Sequence, residues 1–285
     1  MIADILDRAA NRVGTWTLHR RGLGSIFLPT RHGLIHGFDG VGTGSGPPVV
    51  MLHGISAGAV PFGRVMVRLM KHHRHVLALD ALGHGLSVVP PKMSSTILLE
   101  GLEDALDAAA LDRPVLFGNS MGGGMALWYA SEFPERVSGV MLTSPAGADA
   151  GTLAMTELAS GLRMDSLAQA RHFVTRIFHD EPWFGRALAP FVRARFQRST
   201  VRALLDDAPS APRMTSERLA QLTMPLLVLW GMSDTVLPDV HRAYYRDHLP
   251  PHAIFEEWPD VGHCPHLEAP ARLARRIVEF VGKGS

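Results

Sequence analysis

The chain has 285 residues, of which 46% are hydrophobic and 19% are charged, so it can bury a sizeable core in one large domain or in a domain with an insertion. Its 28 Lys and Arg residues balance its 27 Asp and Glu residues, which argues against nucleic acid or an anionic membrane surface as a partner. The single cysteine, Cys264, excludes an internal disulfide and a cysteine-based zinc site, and it fits a cytoplasmic protein.

Residues 1–14 are expected to form a short helix that packs on the body of the protein. Asp4 and Asp7 interrupt the apolar run that a secretory signal requires. A lid over the functional site and a homodimer contact are the alternative roles for this helix. No run in the chain approaches the roughly 20 apolar residues needed to span a membrane. The apolar residues of the segment recur at helical spacing, at Ile2, Ile5, Leu6, Ala9 and Val13.

Beyond this helix, two short strand-like runs are separated by Pro29 and Gly33 and predict an antiparallel start to a sheet. From Val49 onward, wholly apolar runs alternate with stretches of helical spacing, which is typical of a parallel sheet covered by helices on both faces. The predicted strands are residues 25–28, 34–38, 49–53, 75–80, 115–117, 137–142, 225–230 and 253–258, and the clearest helices are residues 62–70, 97–111 and 268–281.

One long segment interrupts the alternation. About 80 residues with no convincing strand lie between Thr143 and Pro225, and a structureless connection of that length is improbable. Their apolar spacing predicts several helices. We therefore expect a helical cap at residues 146–212, inserted into a core made of residues 1–145 and 213–285. Phe173 and Trp183 of the cap are candidates for contact with a ligand, with ordinary packing inside the cap as the alternative.

The stretch with the most chemical information is residues 118–122, Gly-Asn-Ser-Met-Gly, which follows an apolar run and precedes helix-forming residues. This is the sequence form of a nucleophile elbow, in which a serine sits on a strained turn between a strand and a helix. Gly118 and Gly122 suit that turn because a side chain at either position would strike the turn or the neighbouring strand. Ser120 is therefore the predicted nucleophile.

A serine nucleophile needs a base, and the base needs an acid that fixes its tautomer. Asp234 and His263 each follow a predicted strand, in the chain order Ser, acid, His that accompanies this elbow. Because the carboxyl ends of parallel strands meet at one edge of a sheet, the three side chains are expected to converge there. Taken alone, Asp234 could be a turn or N-cap residue, and His263 an exposed loop residue. Asp149 and Asp260 are rival acids, although Asp260 is close enough to His263 that shaping the turn is its expected role.

The oxyanion of a tetrahedral intermediate needs hydrogen-bond donors. The backbone N–H groups of Met121, after the nucleophile, and Ile55, after the predicted strand at residues 49–53, are the expected donors. His53 is a candidate second base or ligand contact, but we expect it to brace this loop by hydrogen bonding. Asn119 and Cys264, the neighbours of Ser120 and His263, are further candidates for ligand contact.

The basic run at residues 71–75, Lys-His-His-Arg-His, has the composition of a metal cluster. It lies where a predicted helix ends before a strand, and basic residues suit a helix C-terminus, so we expect a solvated face there. No metal site and no cofactor are predicted for this chain.

Five motifs, occurring in order, resemble the α/β-hydrolase fold family: residues 53–54, 80–87, 118–123, 231–238 and 262–268. The resemblance covers roughly residues 25–283 and implies an α/β fold with a mostly parallel eight-stranded sheet and a helical cap inserted after the sixth strand. Ser120 separates the chain from haloalkane dehalogenases and epoxide hydrolases, which carry Asp at that position.

Within the family, the elbow is similar to that of hydrolases that cleave carbon–carbon bonds in products of aromatic-ring fission. Those enzymes place a Trp directly after the catalytic His, where this chain has Cys264, and they hold the substrate's acid group with a cap arginine, for which Arg193 and Arg195 are candidates. The expected function is therefore a cofactor-independent serine hydrolase acting on small, largely apolar carboxylic esters through an acyl-enzyme. Carbon–carbon hydrolysis of a vinylogous diketone acid and a non-catalytic or slow ligand receptor are the alternatives.

Overall fold

The computed structural model describes residues 2–282. Its strands are β1 (Gly24–Thr30), β2 (Gly33–Val41), β3 (Val49–Leu52), β4 (His75–Leu79), β5 (Val115–Asn119), β6 (Gly139–Thr143), β7 (Leu226–Gly231) and β8 (Ile254–Trp258). Its helices are α1 (Ile2–His19), α2 (Gly63–Leu69), α3 (Ser95–Ala109), α4 (Met121–Glu132), α5 (Thr152–Gly161), α6 (Leu167–Ile177), α7 (Gly185–Phe196), α8 (Ser199–Asp207), α9 (Ser216–Ala220), α10 (Asp239–His248), α11 (Pro265–Glu268) and α12 (Pro270–Gly282).

The eight strands form one sheet in the order β1-β2-β4-β3-β5-β6-β7-β8. The pairs β1/β2 and β2/β4 are antiparallel, and every other neighbouring pair is parallel. The predicted antiparallel start and the predicted mostly parallel eight-stranded sheet are both confirmed. The carboxyl ends of β3, β5, β6, β7 and β8 therefore meet at one edge, where a site can form.

The wholly apolar strands arise because helices cover both faces of the sheet. Successive residues of a strand point to opposite faces. Leu116 accordingly packs in one core with α3 and α4. Phe117 packs in the other core with α2 and α12.

Helix α1 extends further than predicted, to His19, and it contacts the body through its second half. Leu18 is buried and lies against Gly63, where an added Cβ would come within 2.1 Å of it. Ala9 and Val13, which were expected to pack on the body, are exposed, so that prediction is wrong for both residues. The predicted packing of Ile2, Ile5 and Leu6 lies outside the described side chains.

The final predicted helix, residues 268–281, is divided in the structure. Ala269 has φ −128° and ψ 50°, and α12 begins at Pro270. Proline has no N–H to donate and disfavours a helical conformation in the residue before it, which explains the break. The predicted apolar face of this helix, formed by Leu273, Ile277 and Phe280, is buried as expected.

The basic run at residues 71–75 connects α2 to β4. Lys71, His72 and Arg74 are exposed, as expected of a solvated face. His73 differs because it is buried, with Nδ1 2.9 Å from the carbonyl oxygen of Pro47. Among the side chains that the structure describes, at residue 9 and residues 11–282, no group of His, Cys, Asp or Glu is arranged to hold a metal ion. No helix in this range is long and apolar enough to cross a bilayer.

Candidate active site

Ser120 sits between the end of β5 and the start of α4, with φ 54° and ψ −119°. A positive φ in a residue with a side chain costs on the order of 1–3 kcal/mol, and the surrounding backbone must hold it. Here the Ser120 N–H donates to Thr143 at 3.1 Å, and the Ser120 carbonyl accepts from the N–H groups of Gly123, Gly124 and Ala146 at 2.9 to 3.1 Å. The ends of β5, β6 and α4 therefore hold this strained turn together.

The glycines of the elbow are required by close backbone approach. A Cβ at Gly122 would lie 2.2 Å from the carbonyl oxygen of Leu52, and a Cβ at Gly118 would lie 2.4 Å from that of Gly122. These neighbours are backbone atoms of β3 and of the elbow itself, so they cannot rotate away. The turn can form only with glycine at both positions.

We expect Gly122→Ala to lower the free energy of unfolding by about 3 kcal/mol, because the added methyl forces α4 away from β3. Urea unfolding monitored by circular dichroism measures this. Gly161→Ala is the matched control, since a Cβ at Gly161, the last residue of α5, meets no atom within 4 Å. That control should leave stability unchanged or raise it by about 0.5–1 kcal/mol. Equal effects of the two substitutions would contradict the close contact.

The structure brings His263 and Asp234 together. The Nδ1–H of His263 donates to Asp234 Oδ2 at 2.7 Å. The other oxygen, Oδ1, accepts from the backbone N–H groups of Val236 at 2.8 Å and Leu237 at 3.3 Å. Burial opposes ionisation of this carboxyl, but the charge of His263 and these hydrogen bonds prevail, and the pKa of Asp234 is lowered below its ordinary 3.8. Asp234 is therefore an anion at neutral pH, and it faces Nδ1 of His263.

The rival acids lie elsewhere. Asp149 pairs with Arg213 at 3.3 Å, and Asp260 pairs with Arg272 at 2.7 Å. Among the described residues, only Asp234 accepts a hydrogen bond from the ring of His263.

The two predicted oxyanion donors flank Ser120. Met121 is the first residue of α4, so its N–H has no partner inside the helix. Gly54 lies beside the nucleophile, since a Cβ there would be 3.3 Å from Ser120 Cβ, and Ile55 follows it. Neither the Ile55 nor the Met121 N–H donates to any acceptor in residues 2–282, and both residues line the same cavity as Ser120. Two free donors at this position suit an oxyanion.

His53 braces the loop after β3, as expected. The prediction that it contacts a ligand is wrong. Nδ1 donates to the Gly54 carbonyl at 2.8 Å, and Nε2 accepts from the Ala81 N–H at 3.0 Å. Burial lowers the pKa of His53, so the ring is neutral and both nitrogens are satisfied by the protein. Consistently, His53 does not line the cavity.

The remaining candidates for ligand contact divide into two groups. Phe173, Asn119 and Cys264 line the cavity. The Asn119 amide also donates to the His263 carbonyl at 2.9 Å, and burial raises the pKa of the Cys264 thiol, which stays protonated. Trp183 does not line the cavity: it is 95% exposed on the connection before α7, where its ring meets Phe184 edge to face. Its candidacy is therefore wrong, because this connection lies on the outer surface.

The cavity that contains Ser120 and His263 has a volume of about 490 Å³. Arg195 is the one permanently charged side chain among the described lining residues, and Arg193 points instead to the Asp165 carbonyl. The wall is mostly apolar, and about half of its lining residues come from residues 146–212, including Met155, Leu158, Leu162, Phe173, Phe191 and Phe196.

Helix α6 is bonded to both catalytic loops, a link that no sequence motif indicated. The Ile177 carbonyl at its C-terminus accepts from the His263 N–H at 2.7 Å. Arg176 donates from Nε to the Thr235 carbonyl at 2.7 Å and from Nη2 to the Val236 carbonyl at 3.1 Å. Helix α6 thus holds backbone next to both members of the His263–Asp234 pair.

Comparison with known proteins agrees with this architecture. A model described as the alpha/beta hydrolase family matches residues 49–276. Haloalkane dehalogenase 2 from Mycobacterium bovis is 29% identical over 281 residues, which cover 90% of this chain and 95% of that protein. A 2-hydroxymuconate semialdehyde hydrolase from Pseudomonas putida is 28% identical over 256 residues, covering 84% of this chain and 89% of that protein.

Among solved structures, a carboxylesterase from Bacillus subtilis superposes with a TM-score of 0.77 at 19% identity, covering 97% of this chain and 99% of the other. At that identity the likeness concerns the fold alone. The family match spans most of the chain and includes all the strands that carry the site, and on this basis the chain belongs to the alpha/beta hydrolase family.

Proposed function

We propose that this protein is a cofactor-independent serine hydrolase that cleaves small, largely apolar carboxylic esters. The observation that carries the proposal is that Ser120, on its strained elbow, shares an apolar cavity with His263, whose ring is hydrogen-bonded to Asp234. Residues 146–212 act as the cap that supplies about half of the residues in the cavity wall. A cytoplasmic location and a homodimer contact through α1 stay predictions.

In the proposed reaction, Ser120 Oγ attacks the ester carbonyl while His263 Nε2 takes its proton. Asp234 holds the His263 proton on Nδ1, so Nε2 is free to act as the base. The N–H groups of Ile55 and Met121 bind the oxyanion that develops. Collapse releases the alcohol with the proton from His263, and water then hydrolyses the acyl-enzyme by the same steps.

The nucleophile argues against the reaction named for the dehalogenase relative. A carboxylate that displaces a halide forms an alkyl ester, which water can hydrolyse. A serine that did so would form an ether, which a histidine base and water do not cleave. Ser120 therefore favours attack on a carbonyl carbon.

Carbon–carbon hydrolysis of a ring-fission product is the second candidate, and Arg195 is the observation that favours it. This cation lines a mostly apolar cavity, and such a product carries a carboxylate. Arg195 also contacts Asn11, with 3.5 Å between Nη2 and Oδ1. We place the ester first because the rest of the wall is apolar.

Two measurements test the proposal. We expect an alkyl fluorophosphonate to add once per chain by intact mass, with no adduct on Ser120→Ala, because the elbow and His263 activate this hydroxyl. We also expect kcat/KM for p-nitrophenyl butyrate to exceed that for 2-hydroxy-6-oxohexadienoate by about tenfold or more. Absence of the adduct would favour a ligand receptor, and faster turnover of the dienoate would favour the carbon–carbon hydrolase.

A further inference from the structure

His266 is a buried histidine in the cavity wall that the proposed reaction does not use. It lies in α11, one turn after His263, and its side chain is almost fully enclosed. Its ring packs against Phe62, with 4.8 Å between the ring centroids. Phe62 belongs to the segment that follows Ile55. His266 therefore lies between that segment and the loop that carries His263.

The two ring nitrogens of His266 have different surroundings. Nδ1 is fully enclosed and has no hydrogen-bond partner among the described residues. Nε2 also bonds to none of residues 2–282, but it is not enclosed, and His266 lines the cavity. Nε2 is therefore the ring nitrogen that a group in the cavity can reach.

Two other buried histidines, His53 and His84, are hydrogen-bonded, whereas His241, which does not line the cavity, has no partner on either ring nitrogen among the described residues. His53 uses both ring nitrogens within its loop. His84 bonds through Nδ1 to the Leu82 carbonyl at 3.0 Å and accepts from the Ser56 N–H at 3.2 Å. Because buried polar groups are normally hydrogen-bonded, an unpartnered ring in the cavity wall points to a partner that comes with the ligand.

The protonation state of His266 is set by its surroundings. Burial, and then the nearby His263 and His53, lower the pKa of His266 to about 3, so the ring is neutral at pH 7. A neutral imidazole carries one donor and one acceptor. A proton on Nδ1 would be an enclosed N–H with no acceptor, whereas a proton on Nε2 can reach the cavity. The ring is therefore a donor toward the ligand.

We propose that His266 is a specificity-determining residue that donates from Nε2 to an uncharged oxygen of the substrate, away from the scissile carbonyl. Resting on the proposed ester hydrolysis, this names the substrate class: esters whose acid or alcohol part carries an ether, keto or hydroxyl oxygen within an otherwise apolar chain. An uncharged oxygen suits the site because the donor is neutral and its surroundings are apolar.

The test compares p-nitrophenyl hexanoate with analogues in which oxygen replaces one chain CH₂ at successive positions. The quantity compared is kcat/KM for the oxygen analogue divided by kcat/KM for the hexanoate. For at least one oxygen position, we expect His266→Leu to lower this ratio by about tenfold. His266→Gln, which keeps an N–H near Nε2, should retain most of the ratio. Turnover of hexanoate should change less than about threefold in both variants, with unfolding temperatures showing that they are folded.

A second measurement does not need ester turnover. In Ser120→Ala protein labelled with nitrogen-15 histidine, His266, assigned by comparison with His266→Gln, should show the Nε2–H tautomer at pH 7. The anilide of the oxygen-containing acid should shift the Nε2 resonance, and the anilide of hexanoic acid should not. A protein that fails as an esterase therefore still tests this residue.

The inference is overturned if the ratio is unchanged at every oxygen position, or if the tautomer is Nδ1–H. It is also overturned if His266→Leu lowers kcat for all esters equally, since that result would place the donor at the oxyanion. If no Ser120-dependent ester turnover is found but the His266 Nε2 resonance shifts as expected, the esterase proposal is rejected and the inference about His266 stands.

Discussion

Replacing Ser120 with alanine is expected to lower kcat/KM for p-nitrophenyl butyrate by about 10⁵-fold, because the variant lacks the hydroxyl that forms the proposed acyl-enzyme. Initial rates with protein of verified purity measure this. His263 and the two oxyanion donors remain in the variant, so a small residual rate above buffer is expected. Retention of more than about one hundredth of the activity would reject the proposed nucleophile.

Ser120→Gly provides a control that separates chemistry from strain. Both variants lack the hydroxyl, but glycine adopts a positive φ without the steric cost that alanine shares with serine. We expect Ser120→Gly to raise the free energy of unfolding by about 1 kcal/mol, with Ser120→Ala within about 0.5 kcal/mol of the native protein. Stabilisation by both substitutions to the same extent would mean that the strain is not in the backbone.

Asp234→Asn is expected to lower kcat by about 10⁴-fold while leaving the fold intact. The amide can present an N–H toward His263 in place of the acceptor at 2.7 Å, which favours the wrong tautomer, and it cannot stabilise the imidazolium that forms in the reaction. Asp149→Asn is the matched control, because Asp149 pairs with Arg213 and does not contact His263. It should change kcat by less than about threefold. Equal losses in the two variants would contradict the assigned acid.

The difference in stability between the native protein and Asp234→Asn is expected to depend on pH. The pKa of Asp234 is lowered in the folded state, so its contribution to stability is fully present above its ordinary pKa of 3.8 and is lost as pH falls through the folded value. The difference in free energy of unfolding between native protein and Asp234→Asn should therefore be constant from neutral pH to about pH 5 and shrink below about pH 4. Urea unfolding across this range measures it. A difference in free energy of unfolding that grew as the pH fell would contradict the lowered pKa of Asp234.

The parts of the site that could be predicted are those encoded locally. Wholly apolar runs, the glycines at 118 and 122, and the position of each polar residue after its strand are properties of a few neighbouring residues. Parallel strands then bring their carboxyl ends to one edge of the sheet, and this does not depend on the sequence of the connecting segments. For this reason the sequence alone placed Ser120, Asp234 and His263 at one edge of the sheet.

The cap was predicted as helical, but its contacts were not. Arg193 and Arg195 are two residues apart in α7, yet one bonds to the Asp165 carbonyl and the other lines the cavity. Trp183 and Phe173 are both cap aromatics, yet the first is on the surface and the second is in the wall. No motif marks this difference, because it depends on how each helix is rotated against the others.

The sequence by itself determined the fold class, the elbow and the order of nucleophile, acid and base, since short-range patterns and one sheet edge suffice for these. Only the tertiary structure decided which side chains line the cavity, and which buried histidines have ring nitrogens without a partner among the described residues. Those properties depend on distant segments meeting: Ala81 satisfies His53, Ser56 satisfies His84, and nothing in residues 2–282 satisfies His266. The proposed chemistry thus depends on local sequence, and the shape of the cavity depends on packing between residues 146–212 and the rest of the chain.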